Sequence, residues 1–186
     1  MARLLYTVIT SLDGFIADED GSFDWAAPDD EVHAFINDQE RSVGTQLLGR
    51  RMYGVLQFWE TVLDEPGQPP VAVDFARQWL EADKIVYSRT LREVSTARTR
   101  IEREFDPGAV ARLKESATRD LAVGGPELAR HAFAAGLVDE CRVFLVPCLV
   151  GGGKRAFPAG FRSGLELLEE RRFAGGTTFL RYAPRS

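Results

Sequence analysis

The 186-residue chain has two cysteines, two histidines, and no apolar run near the roughly 20 residues needed to span a bilayer. Cys141 and Cys148 fall in one expected strand, Cys141–Val150. At about 3.3 Å per residue they stand on the order of 23 Å apart, too far for a disulfide, which needs Cα atoms within about 7 Å. Free thiols fit a reducing cytoplasm. His33 and His131 belong to separate expected helices with no C-x-x-C nearby, which argues against a zinc site. No G-x-S-x-G elbow supports a serine hydrolase. The dinucleotide fingerprint G-x-G-x-x-G is also missing, because Val123-Gly124-Gly125-Pro126 lacks the third glycine and no acidic residue follows at the ribose spacing. Positive charge is not in excess. The net charge of -5 argues against nucleic-acid and membrane-surface partners, though local arginines can still serve a phosphorylated ligand. The apolar part of Met1–Tyr6 is too short for a signal peptide, and no internal repeat or low-complexity tract is present.

With 45% hydrophobic and 27% charged residues, the chain reads as one globular domain over residues 1–186. Leu4–Thr10 is apolar and β-branched, the pattern of a buried strand. Asp29 or Asp30 is placed to cap a helix carrying Val32, Phe35 and Ile36, with Val43 near its end and Gly44 closing it. Gln46–Gly49 reads as a short strand, and Arg50 opens a helix running through Leu56 and Trp59. After the loop Asp64–Pro70 come a helix with Phe75, Trp79 and Leu80, the strand Lys84–Ser88, and a more exposed strand at Thr99–Glu104. Asp106-Pro107 starts another helix. The strand ending at Gly124 turns into a helix carrying Leu128, Ala132, Phe133 and Leu137, with Gly136 as its terminator. Cys141–Val150 is the strongest strand, and Leu165–Phe173 with Thr177–Tyr182 forms a terminal hairpin around Ala174-Gly175-Gly176. Alternating strands and helices predict a mixed, mostly parallel sheet with helices on both faces.

Three corners at strand ends draw attention, because open α/β sheets bind ligands there. In Leu121–Arg130, two glycines without Cβ atoms precede a proline at a helix start, where free N–H groups favour an anion. This is either a pyrophosphate cradle or an ordinary strand-to-helix turn. Gly49-Arg50-Arg51 offers guanidinium forks for a phosphate, and Ser88-Arg89-Thr90 again follows a strand. Taken together, the corners suit a dinucleotide with an extra phosphate, NADPH rather than NADH. Gly151-Gly152-Gly153-Lys154 lacks the Walker spacing and reads first as a turn.

Five segments occur in order: Ser11-Leu12-Asp13-Gly14-Phe15-Ile16-Ala17, Leu48–Tyr53, Ile85–Ser88, Val123-Gly124-Gly125 and Val146–Gly153. Together they resemble the dihydrofolate reductase superfamily, and more closely the C-terminal reductase domain of bacterial RibD and its stand-alone relatives, over nearly the whole chain. The resemblance implies an α/β, three-layer, dihydrofolate-reductase-like sandwich. It also implies an NADPH-dependent, cytoplasmic, homodimeric reductase of a small heterocycle. By the same resemblance Gly49, Arg50, Arg51, Ser88 and Arg89 would hold the adenosine end and its 2′-phosphate. Val123, Gly124, Gly125, Pro126, Glu127 and Leu128 would surround the pyrophosphate, and Ile9, Gly14, Ile16 and Ala17 would lie along the nicotinamide.

Two positions depart from the riboflavin-pathway pattern: Phe15 stands where lysine is usual, and Val123 where glutamate is usual. Both departures suggest a substrate less polar than a phosphoribosyl pyrimidine, although 5-amino-6-(5-phosphoribosylamino)uracil reduction is the nearest named activity. Asp30 or Glu31 falls where dihydrofolate reductases keep a carboxylate for protonating a pterin, and either can equally be a helix-capping acid. Asp13 either orients substrate or ties down its own loop through backbone N–H groups. Trp25, Phe35, Tyr53, Phe58 and Trp59 form either an aromatic substrate wall or part of the core. The alternatives are reduction of dihydrofolate or another pterin, and a nucleotide-binding module without catalysis.

Overall fold

The pattern of the first strand sets the layers. In the computed structural model, which describes residues 1–185, β1 (Leu4–Ser11) sends Leu4, Tyr6 and Val8 into one core cluster and Leu5 into another. A strand buried on both sides belongs at the centre of a sheet covered on both faces. In chain order there follow β2 (Phe15–Ala17), α1 (Asp30–Glu40), β3 (Val43–Gly49), α2 (Arg50–Leu56), α3 (Pro70–Glu81), β4 (Asp83–Tyr87) and β5 (Thr99–Glu102). Then come α4 (Pro107–Ser116), β6 (Asp120–Gly124), α5 (Pro126–Ala134), β7 (Glu140–Val146), β8 (Lys154–Arg155), β9 (Leu165–Arg172) and β10 (Thr178–Pro184).

Eight strands form one sheet in the order β5-β4-β3-β6-β1-β7-β10-β9. The first six run parallel, β10 runs antiparallel to β7, and β9 folds back on β10 as the terminal hairpin. β2 and β8 make a separate antiparallel pair beside the end of β1. Leu128, Ala129, Ala132 and Phe133 of α5 and Val110 of α4 pack on one face. On the other, Val32, Phe35 and Ile36 of α1 meet Phe144, Phe173 and Phe179, while Tyr53 of α2 and Trp79 of α3 meet Leu48 and Val86. The expected three-layer α/β sandwich with a mostly parallel sheet and a C-terminal hairpin is therefore the observed fold. No helix among the described residues is long and apolar enough to cross a membrane.

Local chemistry explains most helix starts. Asp29 caps α1 by accepting the Val32 N–H at 2.9 Å, and Asp106 caps α4 by accepting the Gly108 N–H at 2.9 Å. Pro70, Pro107 and Pro126 each occupy the first helical turn, where a missing N–H costs nothing. At the far end of α3, the buried Lys84 ammonium donates to the Trp79 and Ala82 carbonyls at 2.8 and 3.0 Å.

Several expected boundaries are corrected. α1 ends at Glu40, and Val43 with Gly44 begins β3 instead of closing the helix. Val43 pairs with Asp120, and Gly44 lies so close to Arg119 that a Cβ there would come within 2.8 Å of the Arg119 Cβ. The helix from Arg50 stops at Leu56 and tightens into a 3-10 turn over Gln57–Glu60. β5 ends at Glu102. β7 ends at Val146, because Pro147 has no N–H to continue a ladder and the Cys148 N–H folds back onto the Val146 carbonyl at 2.8 Å. Cys148 thus lies outside the strand that the thiol spacing assumed, although both cysteines are free.

Candidate functional site

Parallel strands place their carboxyl ends on one edge of the sheet, and the candidate corners gather there. β4, β3 and β6 are consecutive neighbours, with Gly49 level with Tyr87 and Leu48 level with Gly124. β1 is longer. Its Leu5 pairs with Ala122, so it runs on to Ser11 past the end of β6, by about 13 Å at the usual rise per residue. The overhanging part of β1, with Ile9 half-buried, borders the space beyond the β6 end.

The double-glycine turn is built for close approach. A Cβ on Gly124 would meet Leu48 Cδ2 at 2.8 Å and Met52 Cγ at 3.1 Å, so packing against β3 and α2 excludes a side chain. Gly125 has φ +94, a left-handed conformation that L side chains rarely adopt. It is the N-cap of α5, and no side chain bonds the free N–H groups of that helix start. Pro126 and Leu128 are buried, while Glu127 points outward. A Cβ on Gly49 would touch Leu128 Cβ at 3.9 Å, so the Gly-Arg corner abuts α5 itself. An uncapped helix start beside two Cβ-free positions fits a pyrophosphate.

Arg50 and Arg51 are exposed and form no ion pair among the described residues, and Arg50 Nη1 donates to Thr90 Oγ1 at 3.2 Å. That bond joins the Gly49-Arg50-Arg51 and Ser88-Arg89-Thr90 corners. Ser88 is buried, and its Oγ accepts the Thr90 and Leu91 N–H groups at 3.3 and 3.0 Å, shaping the turn after β4. Arg89 pairs with Glu104 at 3.0 Å on the surface. Arg103 escaped the sequence reading. Its Nη1 donates to the Ser88 and Leu91 carbonyls at 3.0 and 2.6 Å, clamping that turn from just past the end of β5. An arginine after an exposed strand carries no signal that distinguishes this role from solvation.

Gly14, Ile16 and Ala17 lie in and after the turn from β1 to β2, all half-buried. Asp13 leads this turn, and its carboxylate accepts Ser11 Oγ at 2.6 Å, the Val150 N–H at 3.1 Å and the Gly151 N–H at 2.7 Å. The Ser11 hydroxyl, then the Gly151 N–H, hold its pKa down to about 2. The Gly151–Gly153 turn therefore spends its first N–H group on Asp13. Phe15 is buried with the Arg155 guanidinium 5.3 Å from its ring centroid, and Val123 is buried in the α5-side core.

The two acids on α1 differ. Glu31 accepts the Ala174 N–H at 3.1 Å and pairs with Arg171 at 3.5 Å, which ties it to the hairpin tip. Asp30 is exposed and has no hydrogen bond or ion pair among the described residues. The aromatic group divides as well. Phe35 is core, its ring 4.9 Å from Phe179, and Tyr53 is buried with its hydroxyl at 3.1 Å from Thr96 Oγ1. Phe58 is exposed, and Trp59 packs on Phe75 at 4.7 Å and on His33 at 5.8 Å. Burial lowers the His33 pKa from its ordinary value. His131 is exposed and stacks on Phe105 at 5.8 Å.

A family model described as the RibD C-terminal domain matches residues 2–179. The uncharacterized protein YyaP of Bacillus subtilis (strain 168) is 26% identical over 182 residues, spanning 97% of this chain and 94% of that protein. Among solved structures, a pyrimidine reductase-like protein of Corynebacterium diphtheriae superposes with a TM-score of 0.68 at 15% identity, covering 100% of this chain and 92% of that one. A diaminohydroxyphosphoribosylaminopyrimidine deaminase/5-amino-6-(5-phosphoribosylamino)uracil reductase of Thermotoga maritima superposes with a TM-score of 0.68 at 13% identity, covering 99% of this chain and 57% of that one.

Proposed function

The chain belongs to the RibD C-terminal domain family, and from that premise we propose that it is an NADPH-dependent reductase of a small heterocyclic compound. One observation carries the cofactor assignment. Gly49-Arg50, Ser88-Arg89 and Gly124-Gly125 end three adjacent parallel strands, Arg50 reaches Thr90, and the α5 start beside them is uncapped. Arg50, Arg51, Ser88 and Arg89 would hold the adenosine end with its 2′-phosphate. Gly124 and Gly125, with Val123, Pro126, Glu127 and Leu128 around them, would hold the pyrophosphate. Ile9, Gly14, Ile16 and Ala17 would line the nicotinamide. When bound, the cofactor supplies the hydride for a C=N or C=O carbon. The chain's own contribution is alignment and exclusion of water.

Phe15 and Val123 are both buried, so neither presents a charge to a phosphorylated substrate. That favours a less polar heterocycle than 5-amino-6-(5-phosphoribosylamino)uracil. Of the two α1 acids, Asp30 is the one left free to serve a proton, since Glu31 is bonded to Arg171 and Ala174.

Thermal shift tests this reading. NADPH at about 100 times its dissociation constant stabilises by roughly 2.7 kcal/mol, NADH at the same concentration does less, and the absence of any NADPH shift overturns the cofactor assignment. Methotrexate binding would instead favour a pterin substrate.

We also propose a homodimer through β9. It is a free edge strand exposed along nearly its whole length, with Leu165, Leu167 and Leu168 at 40%, 47% and 47% exposure. Pairing Leu165–Arg172 antiparallel with itself sets Glu166 opposite the partner subunit's Arg171. Light scattering is expected to give twice the chain mass, and Leu167→Glu to give a monomer.

A further inference from the structure

The loop 147–153 and the turn 11–17 are far apart in sequence, yet they are stitched together from both sides. The Leu12 N–H donates to the Cys148 carbonyl at 2.9 Å, and the Ala156 N–H donates to the Gly14 carbonyl at 2.9 Å. β2 and β8 pair Phe15 with Arg155 and Ala17 with Lys154. The contact leaves no free space, since a Cβ on Gly153 would collide with the Ala17 carbonyl oxygen.

At the centre of this seam lies a continuous relay. The Phe15 N–H donates to Ser11 Oγ at 3.0 Å, the fully buried Ser11 hydroxyl donates to Asp13 Oδ1 at 2.6 Å, and Asp13 Oδ2 accepts the Gly151 N–H at 2.7 Å. The Val150 N–H is shared between the two carboxylate oxygens at 3.1 and 3.2 Å. Both oxygens of this half-exposed carboxylate are thus engaged by the chain's own donors, and hydrogen bonds to an ionised acceptor are stronger than neutral ones. A carboxylate so occupied is poorly placed to touch a substrate and well placed to fix a backbone.

We propose that Asp13 is a positioning residue whose carboxylate, through Ser11, Val150 and Gly151, locks the Gly14–Ala17 segment into the shape that receives the nicotinamide half of the cofactor. The inference rests on the cofactor reading above for its ligand, but the lock itself is a property of the chain. Asparagine at position 13 keeps one accepting oxygen and turns an N–H₂ donor toward groups that are already donors. The seam loosens, while the adenosine corners after β3 and β4 and the pyrophosphate turn before α5, which Asp13 does not touch, stay as they are.

The test measures dissociation constants of NADPH and of 2′,5′-ADP, which lacks the nicotinamide half, for the wild type, Asp13→Asn and Ser11→Ala. Both variants are expected to weaken NADPH by about tenfold or more, the equivalent of one good hydrogen bond, with 2′,5′-ADP within about twofold of wild type. Equal weakening of both ligands, or of neither, overturns the proposal. If the wild type binds no NADPH, the cofactor reading fails, and amide hydrogen exchange then decides the lock. Asp13→Asn is expected to speed exchange at Phe15–Ala17 and Gly151 while leaving Leu4–Thr10 protected. Unchanged exchange at Phe15–Ala17 removes the lock whatever binds.

Discussion

Leu48 occupies the space that a side chain on Gly124 would need: its Cδ2 lies 2.8 Å from where a Cβ at 124 would be, across paired strands β3 and β6. The glycine next to the proposed pyrophosphate site is therefore demanded first by packing. Gly124→Ala is expected to destabilise the protein by about 1–3 kcal/mol through overpacking, read as a lower urea midpoint at unchanged slope. Gly125→Ala meets Met52 Cβ at an ordinary 3.6 Å but must hold φ +94 with ψ 130, at a cost of about 1–3 kcal/mol.

Arg50 links two corners through Thr90. If it also grips a 2′-phosphate, Arg50→Ala and Arg51→Ala each weaken NADPH by about 10–100-fold, the loss of one hydrogen bond to a charged group. NADH, lacking that phosphate, is little affected. Paired titrations of the two cofactors check the ratio.

Lys84 is fully buried and caps the C-terminal carbonyls of α3 while its ammonium lies 4.7 Å from the Trp79 ring centroid. Lys84→Met keeps the volume and strands the Trp79 and Ala82 carbonyls, each worth about 1–3 kcal/mol when left unsatisfied. Chemical denaturation is expected to show a loss of about 3 kcal/mol, with the far-ultraviolet spectrum of the folded state preserved.

Asp13 gives the acid limb of stability a specific source. Its pKa is lowered from 3.8 to about 2, chiefly by the Ser11 hydroxyl and then by the Gly151 N–H. The unfolded chain therefore binds this proton more readily than the folded one, so the contribution is complete above the unfolded value and is lost as pH falls through the folded one. Asp13→Asn lacks that component. The stability gap between wild type and Asp13→Asn is expected to narrow as pH drops from about 4 to about 2, measured by urea midpoints across that range.

Much of this fold was legible because local rules and tertiary structure agree. Leu4–Thr10, the Asp29-or-Asp30 helix start, Asp106-Pro107, Pro126 and the Gly124-Gly125 turn announced their elements in the sequence itself, and the structure keeps each one, with Asp29 as the cap. Boundaries went astray where a distant partner decided them. Val43 and Gly44 read as the end of a helix until Asp120 pairs with Val43 and the Arg119 side chain packs against Gly44. Val146 ends its strand because Pro147 cannot continue the ladder, and the apolar Leu149 and Val150 beyond it disguised that break. The candidate corners were visible one by one as glycine-arginine and serine-arginine pairs at strand ends. Arg103 was not, since a carbonyl 15 residues away gives an arginine no sequence signature.

The sequence by itself determined the class of the protein: an alternating α/β chain, parallel strands ending in glycine and arginine corners, and no metal-ligand spacing. These follow from periodicity and residue chemistry, which act over a few neighbouring positions. Only the tertiary structure decided which corners are neighbours, that Glu31 is bound to the hairpin and Asp30 is not, and that Asp13 spans 137 residues to reach the Val150 N–H. Those relations depend on strand order and loop return, which bring remote backbone N–H groups within hydrogen-bond range of one carboxylate.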